Sequence, residues 1–312
     1  MKSAAPLYII GNGFDLHHGL PTNYWDYREF LEARNTTDLS TFERGLFLEY
    51  SSISTLEKDA LWGEPEESLA VDWCDYMENE LEHNYPSMAD THPGWDDAAV
   101  AIDCDAGFLE RLTNDCLRQW IASVDFSHCQ SIMDFESDAL FVTFSYTDVL
   151  EDVYGIEPAR VFHVHGRASD RSDCLQFGTP NNDPKGVEVL LEQEFADDEY
   201  YGAVVKSCVR MAARYSGAAF KNPRLNYQKL KAFFDGAEPS RIHIMDNTYD
   251  GVDEPYYEDV FAPMFKTADR FFYNHKWGCR AAAEEYYRMK EFAQRMGLAN
   301  TSLCAYDDNY LR

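Results

Sequence analysis

Short apolar runs alternate along the chain with longer segments in which apolar residues recur every three or four positions. The first run, 7–10, is too short for a buried helix and stops at a glycine turn, which is typical of a buried strand. Similar runs recur later, and we predict strands there as well. The predicted strands are 7–10, 139–144, 160–164, 175–177, 241–245, 270–273 and 301–305.

Helical periodicity occupies most of the chain between these runs. Thr22 has the side chain of an N-cap for a helix that continues through Leu31. The stretch 38–125 shows helical patterns separated by acidic loops with proline or glycine, and no segment in it reads as a convincing strand. We therefore predict a helical insertion, or cap, at 38–125. Further helices are predicted at 199–215, 225–234, 258–265 and 279–296.

Strands that alternate with helices favour an α/β fold that is Rossmann-like, with a mostly parallel sheet and helices on both faces. The length of 312 residues fits a single domain, 1–312, that contains the helical insertion. In such a sheet the ligand binds at the carboxyl ends of the strands. Residues that directly follow a predicted strand are therefore the candidates for a site.

Composition narrows the class of protein. Apolar residues make up 45% of the chain, which is enough for a packed core and excludes wholesale disorder. No apolar run approaches the roughly 20 residues that a membrane-spanning helix needs, and the N-terminus lacks the pattern of a signal peptide. We expect a soluble, cytoplasmic protein that makes no membrane contact.

The net charge of −28 repels phosphate backbones, so binding to a nucleic-acid polymer is disfavoured. Solubility is the simpler explanation of this charge, and attraction to a basic partner protein is the alternative. The eight cysteines form neither a CxxC motif nor a zinc-type spacing, which favours reduced thiols.

The first candidate site is the glycine turn after the first predicted strand. Glycines at this place let backbone N–H groups approach an anionic group such as a pyrophosphate. Asp15 offers acceptors to ribose hydroxyls or to a water molecule. A glycine turn that only joins a strand to a helix is the alternative, and the spacing is not the GxGxxG of a dehydrogenase. The candidate residues are Gly11, Asn12, Gly13, Phe14 and Asp15.

Polar residues also follow two other predicted strands. Ser145 and Asp148 come after the strand 139–144, where helix capping is the alternative role for this segment. Alternation places His163 and His165 on the same face. A histidine with a near-neutral pKa suits general base work, although a structural hydrogen bond is the simpler role. No third ligand stands at a telling spacing, so we expect no metal.

The last candidate segment follows the predicted strand 241–245. Its polar side chains suit a ribose or an amide, and an ordinary loop is the alternative. In that alternative, Asp253 caps a helix that begins near Pro255. The candidate residues are Asp246, Asn247 and Thr248.

Taken together, these segments resemble the bacteriophage abortive-infection AbiH family. The likeness is carried by IIGNGFDL at 9–16 with GLPTNY at 19–24, by YTDVLE at 146–151 and by VFHVHG at 161–166, within about 7–275. Such proteins also resemble sirtuin-like NAD-cleaving domains. The GxG turn of those domains resembles Gly11 and Gly13 in this chain. Their strand end resembles Thr143 to Ser145, and their His-Gly pair resembles His165 and Gly166.

The resemblance implies an antiphage effector that cleaves the nicotinamide–ribose bond of NAD, with NAD as substrate or ligand and without a metal. It assigns the activation of a ribose hydroxyl or water to His165, and the stabilisation of the developing cation to Asp15 or Asp148. Ser145 and Thr248 would orient the ribose or the water. A phage or host protein is the implied trigger, and assembly into a homo-oligomer stays open.

The chain departs from the family pattern at three places. Ser145 replaces the usual asparagine, Asp246-Asn247-Thr248 replaces Gly-His-Ser, and Thr179-Pro180 replaces His-Gly after Phe177-Gly178. Serine reaches less far than asparagine, which implies a slow enzyme or a binder. Two alternatives therefore stay open, a non-catalytic nucleotide-binding sensor module of a phage defence system and a hydrolase or nuclease of another nucleotide.

Overall fold

The computed structural model describes two compact units of the chain. The first takes in 1–23, 121–175 and 223–312, and the second takes in 24–120 and 176–222. The residues described are 5–34, 37, 39–40, 42–43, 62–84, 97–196, 202–234, 237, 239, 241–247, 251–262, 268, 270–273, 282–298 and 302–305.

The first unit is built on a six-stranded sheet with the order β3-β2-β1-β4-β5-β6, and every pair of neighbouring strands is parallel. The order reverses between β1 and β4, which is the doubly wound arrangement that opens a crevice at the carboxyl ends of the strands. The predicted parallel α/β sheet is confirmed. The strands are β1 Leu7–Ile10, β2 Leu140–Thr143, β3 Val161–His163, β4 Arg241–Met245, β5 Arg270–Tyr273 and β6 Ser302–Ala305.

The helices follow the strands along the chain, as the alternating pattern predicts. In chain order they are α1 Gly13–His17, α2 Tyr24–Arg34, α3 Pro65–Ser68, α4 Trp73–Asn84, α5 Asp97–Glu110, α6 Leu117–Ala122, α7 Val149–Asp152, α8 Pro184–Glu194, α9 Gly202–Gly217, α10 Tyr227–Phe233, α11 Glu254–Tyr256 and α12 Ala282–Arg295. π-Helical turns at Arg111–Cys116 and Tyr257–Phe261 continue α5 and α11.

Side chains of the central strand alternate between two apolar clusters. Leu7 and Ile9 lie in one cluster with Phe292 of α12, whereas Tyr8 and Ile10 lie in the other with residues of α1 and α7. Because successive side chains of a strand point to opposite faces, the two clusters are the two faces of the sheet. Helices therefore cover both faces.

The described residues of 38–125 contain helices, turns and loops, and no strand. Those up to Trp120 belong to the second unit, which also includes α2, α8 and α9. The boundaries of a single domain with an insertion stay a prediction. None of the helices in the described part of the chain is both long and apolar enough to cross a membrane.

A buried ion pair lies inside the second unit. Lys221 is fully buried, and its Nζ lies 2.9 Å from Oε2 of Glu66. The other carboxylate oxygen of Glu66 accepts a hydrogen bond from the backbone N–H of Gly178 at 3.1 Å. Because each buried charge has a partner, the desolvation cost of the pair is offset.

Two local predictions are wrong. The residues 175–177 form no strand, because their backbone has no strand partner, and the nearby pairing is an isolated bridge between Thr179 and Phe220. Thr22 does not cap α2, which begins two residues later at Tyr24. The backbone N–H of Thr22 instead donates to the carbonyl of Leu20 at 2.9 Å in a tight turn.

Candidate functional site

The turn after β1 packs directly against the turn after β4. A Cβ atom at Gly11 would lie 2.0 Å from the carbonyl oxygen of Asp246, and one at Gly13 would lie 2.8 Å from the Cβ of Asp246. Both glycines are therefore required by the close approach of the two turns. Asp246 has a positive φ of 53°, and its Oδ2 lies 3.0 Å from Nδ1 of His17. This contact raises the pKa of His17, against the effect of burial.

Several backbone and side-chain groups of the predicted nucleotide-binding turn make contacts within the protein itself. The N–H of Gly11 donates to the carbonyl of Met245 at 2.9 Å, and that of Phe14 donates to the carbonyl of Gly11 at 3.2 Å. The side chain of Phe14 belongs to an apolar cluster. Nδ2 of Asn12 donates to the carbonyl of Thr22 at 2.6 Å. These contacts support the fold at the carboxyl end of β1.

Asn247 follows β4 and carries a buried side-chain donor. Its Nδ2 is buried and has no hydrogen-bond partner among the residues described. A buried amide without a partner is costly, so a ligand that accepts from it would gain affinity. The neighbouring Thr248, predicted to bind the same ligand, lies outside the described residues.

Asp15 is a buried carboxylate held by two hydroxyl groups from the segment after β2. Oγ of Ser145 donates to its Oδ2 at 2.5 Å, and Oγ1 of Thr147 donates to the same oxygen at 2.8 Å. Burial raises the pKa of Asp15 to about 6, against the lowering effects of both hydroxyls and of His163. A carboxyl group that titrates near neutral pH in a polar cluster is a candidate for binding or proton transfer.

His163, the last residue of β3, has an acceptor at each ring nitrogen. Its Nδ1 lies 3.3 Å from the carbonyl oxygen of Ser145, and its Nε2 lies 3.1 Å from Oε1 of Glu151 in α7. Asp148, directly before α7, completes a group with Glu151 and His163 whose ligand-type atoms lie within 4.8 Å of one another. The sequence prediction of no metal rested on the lack of a third ligand, and the fold brings such ligands together.

Arg167 compensates the charge of this group. Its Nε donates to Oδ1 of Asp148, and its Nη2 lies 3.7 Å from Oε1 of Glu151. Asp148 was predicted to stabilise a developing cation in a substrate. Because Asp148 already pairs with a guanidinium group, Asp15 is the better placed of the two predicted carboxylates for that role.

His165 does not continue the geometry of β3. The strand ends at His163, the next residues form a turn, and Gly166 has a φ of 85°. The alternation that was expected to place both histidines on one face therefore stops before His165. Nε2 of His165 lies 3.1 Å from Oδ1 of Asp253. Asp253 occupies the N-cap position of α11, but its side chain makes no capping hydrogen bond.

Aromatic rings surround His165. The ring centroids of Phe144, Tyr146 and Tyr256 lie 5.2, 5.8 and 5.7 Å from that of the imidazole. A hydrogen bond from Nε2 to the carboxylate of Asp253 leaves the lone pair on Nδ1. This arrangement can accept a proton from a hydroxyl group or a water molecule.

Most of the predicted site residues make four contacts near the ends of β1, β2, β3 and β4. Asn12, Phe14 and Asn247 take no part in these, and Thr248 lies outside the described residues. Gly11 and Gly13 contact Asp246, Asp15 binds Ser145, Asp148 joins His163, and His165 binds Asp253. Sequence reasoning missed Thr147, Glu151 and Arg167 as members of these contacts. Thr147 and Glu151 lie in the same YTDVLE stretch as Asp148. The polar residues of that stretch were the sequence signal that could have identified them.

The doubly wound parallel sheet, with helices on both faces, defines an α/β protein. The chain belongs to the family described as bacteriophage abortive infection AbiH, whose model matches residues 7–275. Membership points to a role in phage abortive infection. No curated protein and no solved structure matches the chain.

Proposed function

We propose that this protein is an abortive-infection effector that binds NAD at the carboxyl ends of β1, β2 and β4 and cleaves the nicotinamide–ribose bond. The observation that carries the proposal is the pairing of His165 with Asp253 at the end of β3, because it gives a histidine oriented for general base work. The family match supports the antiphage part of the proposal.

Bond cleavage of this kind passes through an oxocarbenium-like transition state. Nδ1 of His165 would take a proton from a ribose hydroxyl or a water, and Asp253 would stabilise the imidazolium ion that results. At pH values above its pKa of about 6, Asp15 is ionised, and its negative charge can stabilise the positive charge on the ribose. The unpartnered amide of Asn247 would donate to an oxygen of the dinucleotide.

The test is to incubate the purified protein with NAD and to measure nicotinamide and ADP-ribose by chromatography. We expect His165→Ala to abolish release and Asp253→Asn to reduce it by roughly 10²-fold, because the imidazole loses the group that orients it. His128→Ala is the matched control, since His128 is exposed. Release that survives in His165→Ala at full rate would disprove the assigned base.

A second candidate function is a nucleotide sensor that binds without turnover. The observation that favours it is the commitment of the site to internal contacts, since both hydroxyls of Ser145 and Thr147 bind Asp15, and His165 is only 4% exposed. Calorimetry with NAD separates the two functions. Saturable binding without nicotinamide release supports the sensor.

A further inference from the structure

The group of Asp148, Glu151 and His163 has the ligand chemistry of a divalent metal site. Its ligand-type atoms lie within 4.8 Å of one another. One imidazole with two carboxylates suits a divalent first-row ion, since imidazole favours zinc and carboxylates favour manganese. We propose that these three side chains bind one ion such as Mn²⁺ or Zn²⁺. The proposal does not depend on the cleavage of NAD.

The hydrogen bonding of His163 has the form found at metal sites. Its Nδ1 lies 3.3 Å from the carbonyl oxygen of Ser145 and can only donate there, so the neutral imidazole carries its lone pair on Nε2. A metal-ligating histidine commonly donates its other N–H to a backbone carbonyl in this way, which fixes the tautomer and the orientation of the ring. Ser145 thereby holds Nε2 towards the two carboxylates.

The distance between His163 and Glu151 fits two ligands of one ion. Nε2 and Oε1 are 3.1 Å apart, and when the imidazole is neutral with its proton on Nδ1 both atoms are acceptors. Two acceptors at this distance repel each other unless a proton or a metal ion is shared between them. Ligands about 2.1 Å from an ion and at right angles lie roughly 3.0 Å apart. The observed separation therefore matches adjacent positions in a coordination sphere.

Glu151 supplies an independent indication of a ligand. Its side chain is 7% exposed, and its Oε2 is buried without a hydrogen-bond partner in the described part of the chain. Leaving a carboxylate oxygen buried and unpaired is costly. Binding of an ion by this carboxylate would remove that cost, which a purely structural salt bridge leaves in place.

Arg167 is the cation with which the ion competes. Its guanidinium pairs with Asp148 and lies 3.7 Å from Glu151. The side chain is 28% exposed and can turn towards solvent when the ion binds Asp148. Because a nearby positive charge opposes a divalent ion, removing that charge should strengthen metal binding. A salt bridge without metal affinity makes no such prediction.

The test is titration of the purified full chain with MnCl₂ and with ZnCl₂ by calorimetry. We expect one equivalent to bind, and electron spin-echo measurements with Mn²⁺ to show a directly bound imidazole nitrogen. His163→Gln and Glu151→Gln should each weaken binding by at least about tenfold, and Arg167→Gln should strengthen it by about tenfold. Asp152→Asn is the matched control, because it removes an exposed carboxylate from the same helix.

The proposal is overturned if the wild type binds neither ion in a saturable way, or if His163→Gln binds as tightly as the wild type. Nitrogen NMR of His163 gives an independent readout. A ring that carries protons on both nitrogens, unchanged by either ion, would show that a proton holds Nε2 to Glu151. The spin-echo signal needs no variant, so a variant that fails to fold does not decide the outcome.

Discussion

At the scale of single residues, the protonation of Asp15 couples the site to pH. The carboxyl group is buried, and its pKa is raised from 3.8 to about 6. The folded state therefore binds this proton more tightly than the unfolded state does. The contribution of the protonated form to the free energy of unfolding is lost as the pH rises from about 4 to about 6. Above that range the folded protein contains a buried negative charge, which lowers its stability.

Replacing Asp15 by asparagine should remove that cost. We expect Asp15→Asn to stabilise the protein by up to about 3 kcal/mol at about pH 8, and by less at about pH 5, since a pKa difference of about two units corresponds to that free energy. Urea unfolding at both pH values measures it. The exposed Asp138→Asn variant is the control and should show no such pH dependence. Equal stabilisation at both pH values would contradict the raised pKa.

Ser145 stands where the resemblance drawn from the sequence implies an asparagine. Its hydroxyl group binds Asp15 and lies 3.0 Å from Oγ1 of Thr147, in a side chain that is 4% exposed. A carboxamide at this position reaches further and offers both a donor and an acceptor. A ribose or a water would then gain an orienting contact.

We therefore expect Ser145→Asn to increase the release of nicotinamide from NAD by roughly 10²- to 10³-fold over a slow wild type. The measurement compares both proteins with the double variant Ser145→Asn, His165→Ala at equal concentration and matched folding. The gain should vanish in the double variant. A fast wild type that Ser145→Asn does not improve would mean that another group does this work.

At the scale of elements, the site depends on how closely the turns after β1 and β4 approach each other. A methyl group at Gly11 would meet the backbone of Asp246 and Asn247, at 2.0 and 2.6 Å, so the backbone itself has to move. A flexible side chain could move aside to make room for such a methyl group. A backbone turn at the end of a central strand can move only if the strand moves with it.

Gly11→Ala should accordingly destabilise the protein by about 1–3 kcal/mol, the usual cost of overpacking. Chemical unfolding with circular dichroism gives the value. Gly63→Ala is the control, because nothing lies within 4 Å of its added Cβ. If Gly11→Ala is as stable as the control, the turns are further apart than the structure shows.

At the scale of the whole molecule, the net charge of −28 affects stability through self-repulsion. Raising NaCl from about 0.01 to 0.1 M shortens the Debye length from about 30 to about 10 Å. The melting temperature should rise over this range at neutral pH. The rise should disappear near the sequence pI of 4.5, where the net charge is small. A fall in melting temperature with NaCl at neutral pH would show that attractive pairs outweigh the repulsion.

The sequence by itself determined the sheet and the places at which polar side chains leave it. The apolar run 7–10 became a fully buried strand because a central strand of a parallel sheet has no polar face. The glycines at 11 and 13 were found for the same local reason, since a strand that ends in glycines marks a turn. These signals act over a few residues and are visible in the chain.

The tertiary structure decided which polar side chains meet. The local sequence indicates no more than a helix cap for Asp253, yet its carboxylate lies 3.1 Å from Nε2 of His165, which is 88 positions away in the chain. Thr147 and Ser145 bind Asp15 across more than 100 positions for the same reason, the parallel pairing of β1 with β2. Such contacts depend on strand order and on where each strand ends, and local sequence patterns determine neither.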